Sequence, residues 1–139
     1  MRILGLDYGS KTVGVAVSDG EFSFALPVET IKRDSENKLR RTLARIEELI
    51  KEYEACGLVL GLPVNMDGSA GERAEKTLEF KEKLEARTGL PVYLQDERLT
   101  TQEAEEELYE MGVKRCDMKK YVDQVAAACI LQDYLNGRK

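Results

Sequence analysis

The chain contains no histidine. A Ser-His-Asp triad, a Cys-His pair and an HExxH zinc site all use imidazole as base or ligand, so none of them can be built here. Any catalysis falls to carboxylates, cations, hydroxyls, thiols or a bound metal. Cysteine is scarce: Cys56, Cys116 and Cys129 are odd in number and widely spaced, which argues against a disulfide framework and against CxxC zinc or redox pairs. They read as reduced packing residues. No apolar stretch is long enough to span a bilayer, and no charged n-region precedes an apolar h-region, so the expectation is a cytoplasmic protein with no membrane partner. Repeats, low-complexity tracts and linkers are also missing. The 139 residues fit one domain over 1–139 with a single core.

Positive charge is in deficit, with 21 Lys and Arg against 26 Asp and Glu and a net charge of −5. That balance argues against a general, nonspecific nucleic-acid coat protein. It leaves a nuclease open, because a metal-dependent nuclease gathers carboxylates at its centre and meets phosphate through local basic patches. Two such patches exist: Lys38, Arg40, Arg41 and Arg45, then Lys114, Arg115, Lys119 and Lys120. The first reads as a solvated helix face.

The order of elements follows from periodicity. Residues 2–7 and 12–18 are β-rich, Asp19-Gly20 signals a hairpin, and Phe22 to Ile31 reads as a third strand that Pro27 places at an edge. Leu39, Leu43, Ile46, Ile50 and Tyr53 recur at helical spacing over 35–54, with Ser35 as N-cap and Gly57 beyond the end. Residues 58–62 form a continuous apolar run, as in a strand covered on both faces, and Pro63 ends it. Ser69 and Glu72 form a capping box for a second helix that Gly89 and Pro91 close, and a strand over 91–94 follows, running into Gln95-Asp96-Glu97-Arg98. Thr100 and Glu103 open a third helix, carrying Ala104, Leu108 and Met111 and ended by Gly112. A last helix covers 119–135, with Val122, Ala126, Cys129 and Ile130 as its apolar face and Gly137 after it. The string β-β-β-α-β-α-β-α-α predicts an α/β fold: a mixed sheet with helices on both faces.

In an open sheet of that kind ligands gather at the carboxyl ends of the parallel strands. Those ends deliver Asp7, the stretch Pro63 to Gly68, and Asp96-Glu97-Arg98. Asp7 closes a buried strand, a costly place for a carboxylate without a partner, and so points to metal or phosphate chemistry. It also suits a simple cap on the Tyr8-Gly9 turn. Glu97 either faces Asp7 or pairs with Arg98 at the surface. Asp123 flanks the apolar stripe of its helix, where a solvated charge is equally at home. Gly68-Ser69 before a helix N-terminus suits a phosphate or an ordinary capped loop. Arg98 suits a phosphate clamp or a partner for Asp96.

Four stretches together resemble one family: residues 4–16, LGLDYGSKTVGVA; residues 61–69, GLPVNMDGS; residues 96–101, DERLTT; and Asp123 followed by 126–132, AAACILQ. In this order and spacing, essentially end to end, the chain resembles the YqgF/RuvX family of the RNase H-like superfamily. The resemblance implies a five-stranded sheet in order 3-2-1-4-5 with strand 2 antiparallel, and an acidic centre of Asp7, Glu97 and Asp123 that both ligates metal and catalyses. Members are described as nucleases that process the 5′ end of precursor 16S ribosomal RNA, and earlier as Holliday junction resolvases by analogy with RuvC. Asn65, Asp67, Ser69 and Arg98 form the next shell, toward substrate, with Lys114, Arg115, Lys119 and Lys120. The family's basic stretch before the last aspartate is interrupted here by Asp117.

The chemistry of the residues agrees with that implication. Carboxylates are the hard ligands of Mg²⁺ or Mn²⁺, and two such ions about 4 Å apart activate water and stabilise a leaving oxygen with no histidine required. The expected partners are precursor rRNA or branched DNA and ribosomal precursor particles, with the chain a monomer or a homodimer. An Asp-x-Gly-Ser pattern after a strand also occurs in the actin, sugar-kinase and heat-shock ATPase superfamily, but those proteins close nucleotide between two such domains. A non-catalytic RNA-binding module is the third reading, which the complete set Asp7, Glu97 and Asp123 disfavours.

Overall fold

Alternation along β1 decides where everything else packs. Leu4, Leu6 and Tyr8 point to one side of the strand, and Ile3, Gly5 and Asp7 to the other. A computed structural model of the chain describes residues 2–9, 11–33, 39–63, 71–96 and 115–137, with side chains of the last segment described from Val122 onward. It contains β1 (Arg2–Tyr8), β2 (Thr12–Ser18), β3 (Ala25–Lys32), α1 (Arg40–Tyr53), β4 (Ala55–Leu62), α2 (Glu72–Thr88), β5 (Val92–Asp96) and α3 (Arg115–Gly137). The sheet order is β3-β2-β1-β4-β5. β2 runs antiparallel to β1 and β3, while β1, β4 and β5 are mutually parallel. This is the RNase H-like arrangement implied by the sequence motifs.

Both faces of the sheet are covered, which is why β1 and β4 read as unbroken apolar runs. On one face Leu43, Ile46 and Leu49 of α1 and Phe80 and Leu84 of α2 pack against Leu4, Leu6, Leu58 and Leu60. On the other, Ala127, Ala128, Ile130, Leu131 and Leu135 of α3 pack against Ile3, Ala16 and Val59. Pro27 lies on the edge strand as expected, beside a bulge at which Val15 pairs with Glu29 and Ala16 with Pro27.

Element ends depart from the sequence expectations. Asp19-Gly20 is not a two-residue turn: the loop spans 19–24, and the Asp19 carboxylate accepts backbone N–H groups of Ser23 at 2.6 Å and Phe24 at 3.0 Å. The Phe24 N–H, foremost, holds that carboxyl below its usual pKa. β3 accordingly starts at Ala25 rather than Phe22. α1 starts at Arg40 behind the buried Leu39, with no side-chain cap, so the helix does not begin at Ser35, which lies outside the described residues. It ends on Glu54, left-handed at φ 54°, and Gly57 lies inside β4, which begins at Ala55. Gly71 is the N-cap of α2 and Glu72 its first residue, so the Ser69/Glu72 box does not open the helix. Gly89 does close it, at φ 72°. α3 begins four residues before the expected 119 and includes Gly137. The helix expected over 100–112 lies outside the described residues.

Candidate active site

The parallel strands β1, β4 and β5 end at one edge of the sheet, where Leu62 and Asp96 are register partners. Asp7, half-buried, arrives there on the α3 face, directly opposite Gly14 of β2. Glycine at that position is a steric requirement of the neighbouring helix. A Cβ on Gly14 would lie 1.9 Å from the carbonyl oxygen of Asp123, and one on Gly5 would lie 2.7 Å from the Cβ of Leu131. The backbone of α3 is therefore seated on the strands, and its half-buried Asp123 comes to the end of the face that carries Asp7. Two residues separated by 116 positions (123 − 7) thus flank Gly14, Asp7 as its strand partner and Asp123 with its backbone carbonyl against it.

The turn that follows Asp7 is held by groups the sequence did not single out. The guanidinium of Arg73, in the first turn of α2, donates to the carbonyl oxygen of Tyr8 at 3.1 Å, and that of Arg33, just beyond β3, donates to the carbonyl oxygen of Gly9. Both lie over the Tyr8 ring, at 5.0 and 4.8 Å from its centroid, and the ring stacks on Phe80 at 4.2 Å. Cation–π contacts of this kind contribute roughly 0.5–2 kcal/mol each. The Gly9 N–H donates to the Thr12 carbonyl at 2.7 Å. The backbone after Asp7 is thus fixed by donors from several elements, and two cations stand behind the acidic edge.

The remaining sequence-derived residues separate by location. Glu97, Asn65, Asp67, Ser69, Arg98 and Lys114 lie outside the described residues, and Arg115, Lys119 and Lys120 fall in the first turns of α3, ahead of the described side chains. Asp96 has the parity of Leu94, opposite to that of Tyr93 and Gln95, which share the Asp7 face. Within the first basic patch, Arg45 is an ion-pairing residue: it meets Glu29 at 2.7 Å and Glu48 at 2.9 Å, and Glu29 above all raises its pKa. Among the described residues no three of His, Cys, Asp and Glu gather closely enough to hold a metal. Asp7 and Asp123 are two hard oxygen donors of the expected set, and the third, Glu97, is not described.

Residues 1–137 match the family model described as RuvX, Holliday junction resolvase. The chain belongs to the RuvX family. Relatives within it include a protein of Agathobacter rectalis, 56% identical over 136 residues (98% of this chain, 95% of that one), and one of Lachnospira eligens, 55% identical over 139 residues (100% and 99%). Both carry the name "Putative pre-16S rRNA nuclease". Among solved structures, Thermus thermophilus RuvC in complex with a Holliday junction substrate superimposes with a TM-score of 0.62 at 19% identity, covering 99% of this chain and 95% of that one. The fowlpox virus Holliday junction resolvase gives 0.57 at 15% identity, with both chains fully covered. At such identities the two structures establish the RNase H-like fold of this RuvX member and nothing finer.

Proposed function

We propose that this RuvX-family chain is a divalent-metal-dependent nuclease, a single domain that hydrolyses phosphodiester bonds at the 5′ end of precursor 16S rRNA in the cytoplasm, on ribosomal precursor particles. The observation that carries the reading is the seating of Asp123 on Gly14, the residue opposite Asp7. Glu97, outside the described residues, is taken as the third acid from the family resemblance of residues 96–101. The names of the relatives support precursor rRNA as substrate.

On this reading Asp7, Glu97 and Asp123 are the ligands, and their donor chemistry fits Mg²⁺ or Mn²⁺: carboxylate oxygens only, in a chain with no histidine. Such an ion, when bound, supplies Lewis acidity toward a phosphoryl oxygen and an acidified water. The chain's part is to hold three negative charges at fixed separation. Arg33 and Arg73 keep the Tyr8-Gly9 backbone still, so the position of Asp7 is set before substrate arrives. Asn65, Asp67, Ser69 and Arg98 orient the phosphates flanking the cut, and Lys114, Arg115, Lys119 and Lys120 neutralise the strand beyond it. A second reading, resolution of four-way DNA junctions, is favoured by the family's description, and it needs a homodimer presenting two such edges to two strands.

The deciding assay sets end-labelled precursor rRNA, single-stranded RNA and a four-way DNA junction side by side with Mg²⁺ or Mn²⁺. The native chain should cut the precursor. Asp7→Asn, Glu97→Gln and Asp123→Asn should each lose more than about a hundredfold in rate, since even an outer-shell partner of a metal site is worth up to that much. Full activity in Asp7→Asn, with contaminating nucleases excluded, would sink the mechanism and leave a non-catalytic RNA-binding module.

A further inference from the structure

Lys11 stands in the β1–β2 turn, Lys32 closes β3, and Arg40 and Arg41 open α1; all four are exposed. Topology brings them to the edge that carries Asp7. Thr12 and Lys32 are register partners, the Arg33 N–H donates to the Lys11 carbonyl at 2.9 Å, and α1 follows the end of β3. Lys32 also shares the Asp7 face: Asp7 pairs with Gly14 and Gly14 with Thr30, and Lys32 is the next residue of that parity. From strand spacing and rise, its Cα lies roughly 12 Å from that of Asp7. That suits a neighbouring phosphate of a bound strand rather than the one being cut.

Among the described residues no carboxylate pairs with any of these four, whereas Arg2, also without an ion pair, lies over the Tyr53 ring. Arg45 is met by Glu29 and Glu48, Lys76 by Glu72, Lys81 by Glu85 and Arg87 by Glu47. Lys51 and Lys83 form no ion pair either, but each has a glutamate four residues earlier on its own helix, Glu47 and Glu79. Among the described residues Lys11, Lys32, Arg40 and Arg41 make no ion pair, and the first turn of α1 holds no acid. Two arginines at the positive end of a helix dipole, with no acid in that first turn, work against folding. In a chain of net charge −5, exposed cations at this edge that pair with no described carboxylate are complementary to a polyanion.

We propose that Lys11, Lys32, Arg40 and Arg41 form a second phosphate-binding surface, on the β2–β3–α1 side of the edge, which holds the sugar-phosphate backbone of the nucleic acid beyond the cut. The inference takes its ligand from the nuclease reading, but its test does not require cleavage. Binding of 5′-labelled single-stranded RNA and of a four-way DNA junction is measured with the full chain in EDTA across a salt series. Lys11→Ala/Lys32→Ala/Arg40→Ala/Arg41→Ala should lose at least about tenfold in affinity for single-stranded RNA, and its log–log salt slope should shrink by about 3, near 0.7 per phosphate contact. If that variant melts early, Arg40→Ala/Arg41→Ala should show about half the change in slope, and Arg40→Lys/Arg41→Lys should restore it. Lys51→Ala/Lys83→Ala should match the native chain. Native affinity and slope in the quadruple variant, equal losses in the Lys51/Lys83 control, or no binding of either probe by the native chain would overturn the proposal. Salt-dependent binding that these substitutions weaken, in a native chain that cuts nothing with metal, would uphold the surface and remove the nuclease.

Discussion

A methyl group on Gly14 would sit 1.9 Å from the Asp123 carbonyl oxygen and 2.4 Å from its carbonyl carbon. Both are backbone atoms of α3 and cannot swing aside as the tip of a long side chain could. Gly14→Ala therefore has to lift the helix from β2, and overpacking of this kind costs about 1–3 kcal/mol. A urea titration should show a lower midpoint, and on the nuclease reading cleavage should fall further than stability does, because Asp123 moves relative to Asp7. Gly20→Ala is the matched control, since nothing lies within 4 Å of its added Cβ. Its midpoint should stay at the native value or rise slightly, as fewer unfolded conformations remain open to alanine. Glycine at position 14 is thus part of how the edge is assembled, although it carries no chemistry.

The ends of α1 show how local signals yield to tertiary packing. Glu54 takes the left-handed C-cap at φ 54°, with its N–H directed to the carbonyls of Ile50 and Lys51, although a glycine stands only three residues on. Glu54→Gly should therefore stabilise the chain, by about 1 kcal/mol, as it relieves the Cβ clash of the left-handed region and removes a negative charge from the helix C-terminus. Thermal melting checks the sign. The apolar stripe of α1 was legible because Leu43, Ile46 and Ile50 obey helical spacing, and β1 and β4 because their runs are unbroken. The helix starts were not: Leu39 is the N-cap for the sake of the core it fills, and Gly71 displaces a capping box that the sequence alone favours. In the site, Asp7 announced itself as a carboxylate ending an apolar strand. Arg33 and Arg73 could not, because they reach the Tyr8-Gly9 turn across 24 and 65 residues and carry no local pattern.

At the scale of the whole molecule, charge among the described residues is sorted rather than mixed at the edge where β1, β4 and β5 end. Asp7 lies opposite Gly14, against which the Asp123 backbone is seated, Arg33 and Arg73 stand behind the turn after Asp7, and exposed cations continue along β3 and α1. Carboxylates brought together on the proposed reading repel one another without a cation between them. A divalent ion that binds only the folded chain should then stabilise it by mass action, about 2.7 kcal/mol at a hundredfold excess over Kd. For a chain of this size that is a rise in Tm of roughly 5–10 °C. Mn²⁺ or Mg²⁺ should produce such a rise in the native chain and a much smaller one in Asp7→Asn. In EDTA the Asp7→Asn variant should melt at or above the native chain, because one repelling charge has been removed while the Arg33 and Arg73 bonds to the following backbone persist. Equal metal-induced shifts in the two proteins would locate the ion away from Asp7. A variant that melts well below the native chain in EDTA would mean that Asp7 contributes more by holding the turn than it costs by repulsion, and that the edge is built around a structural carboxylate.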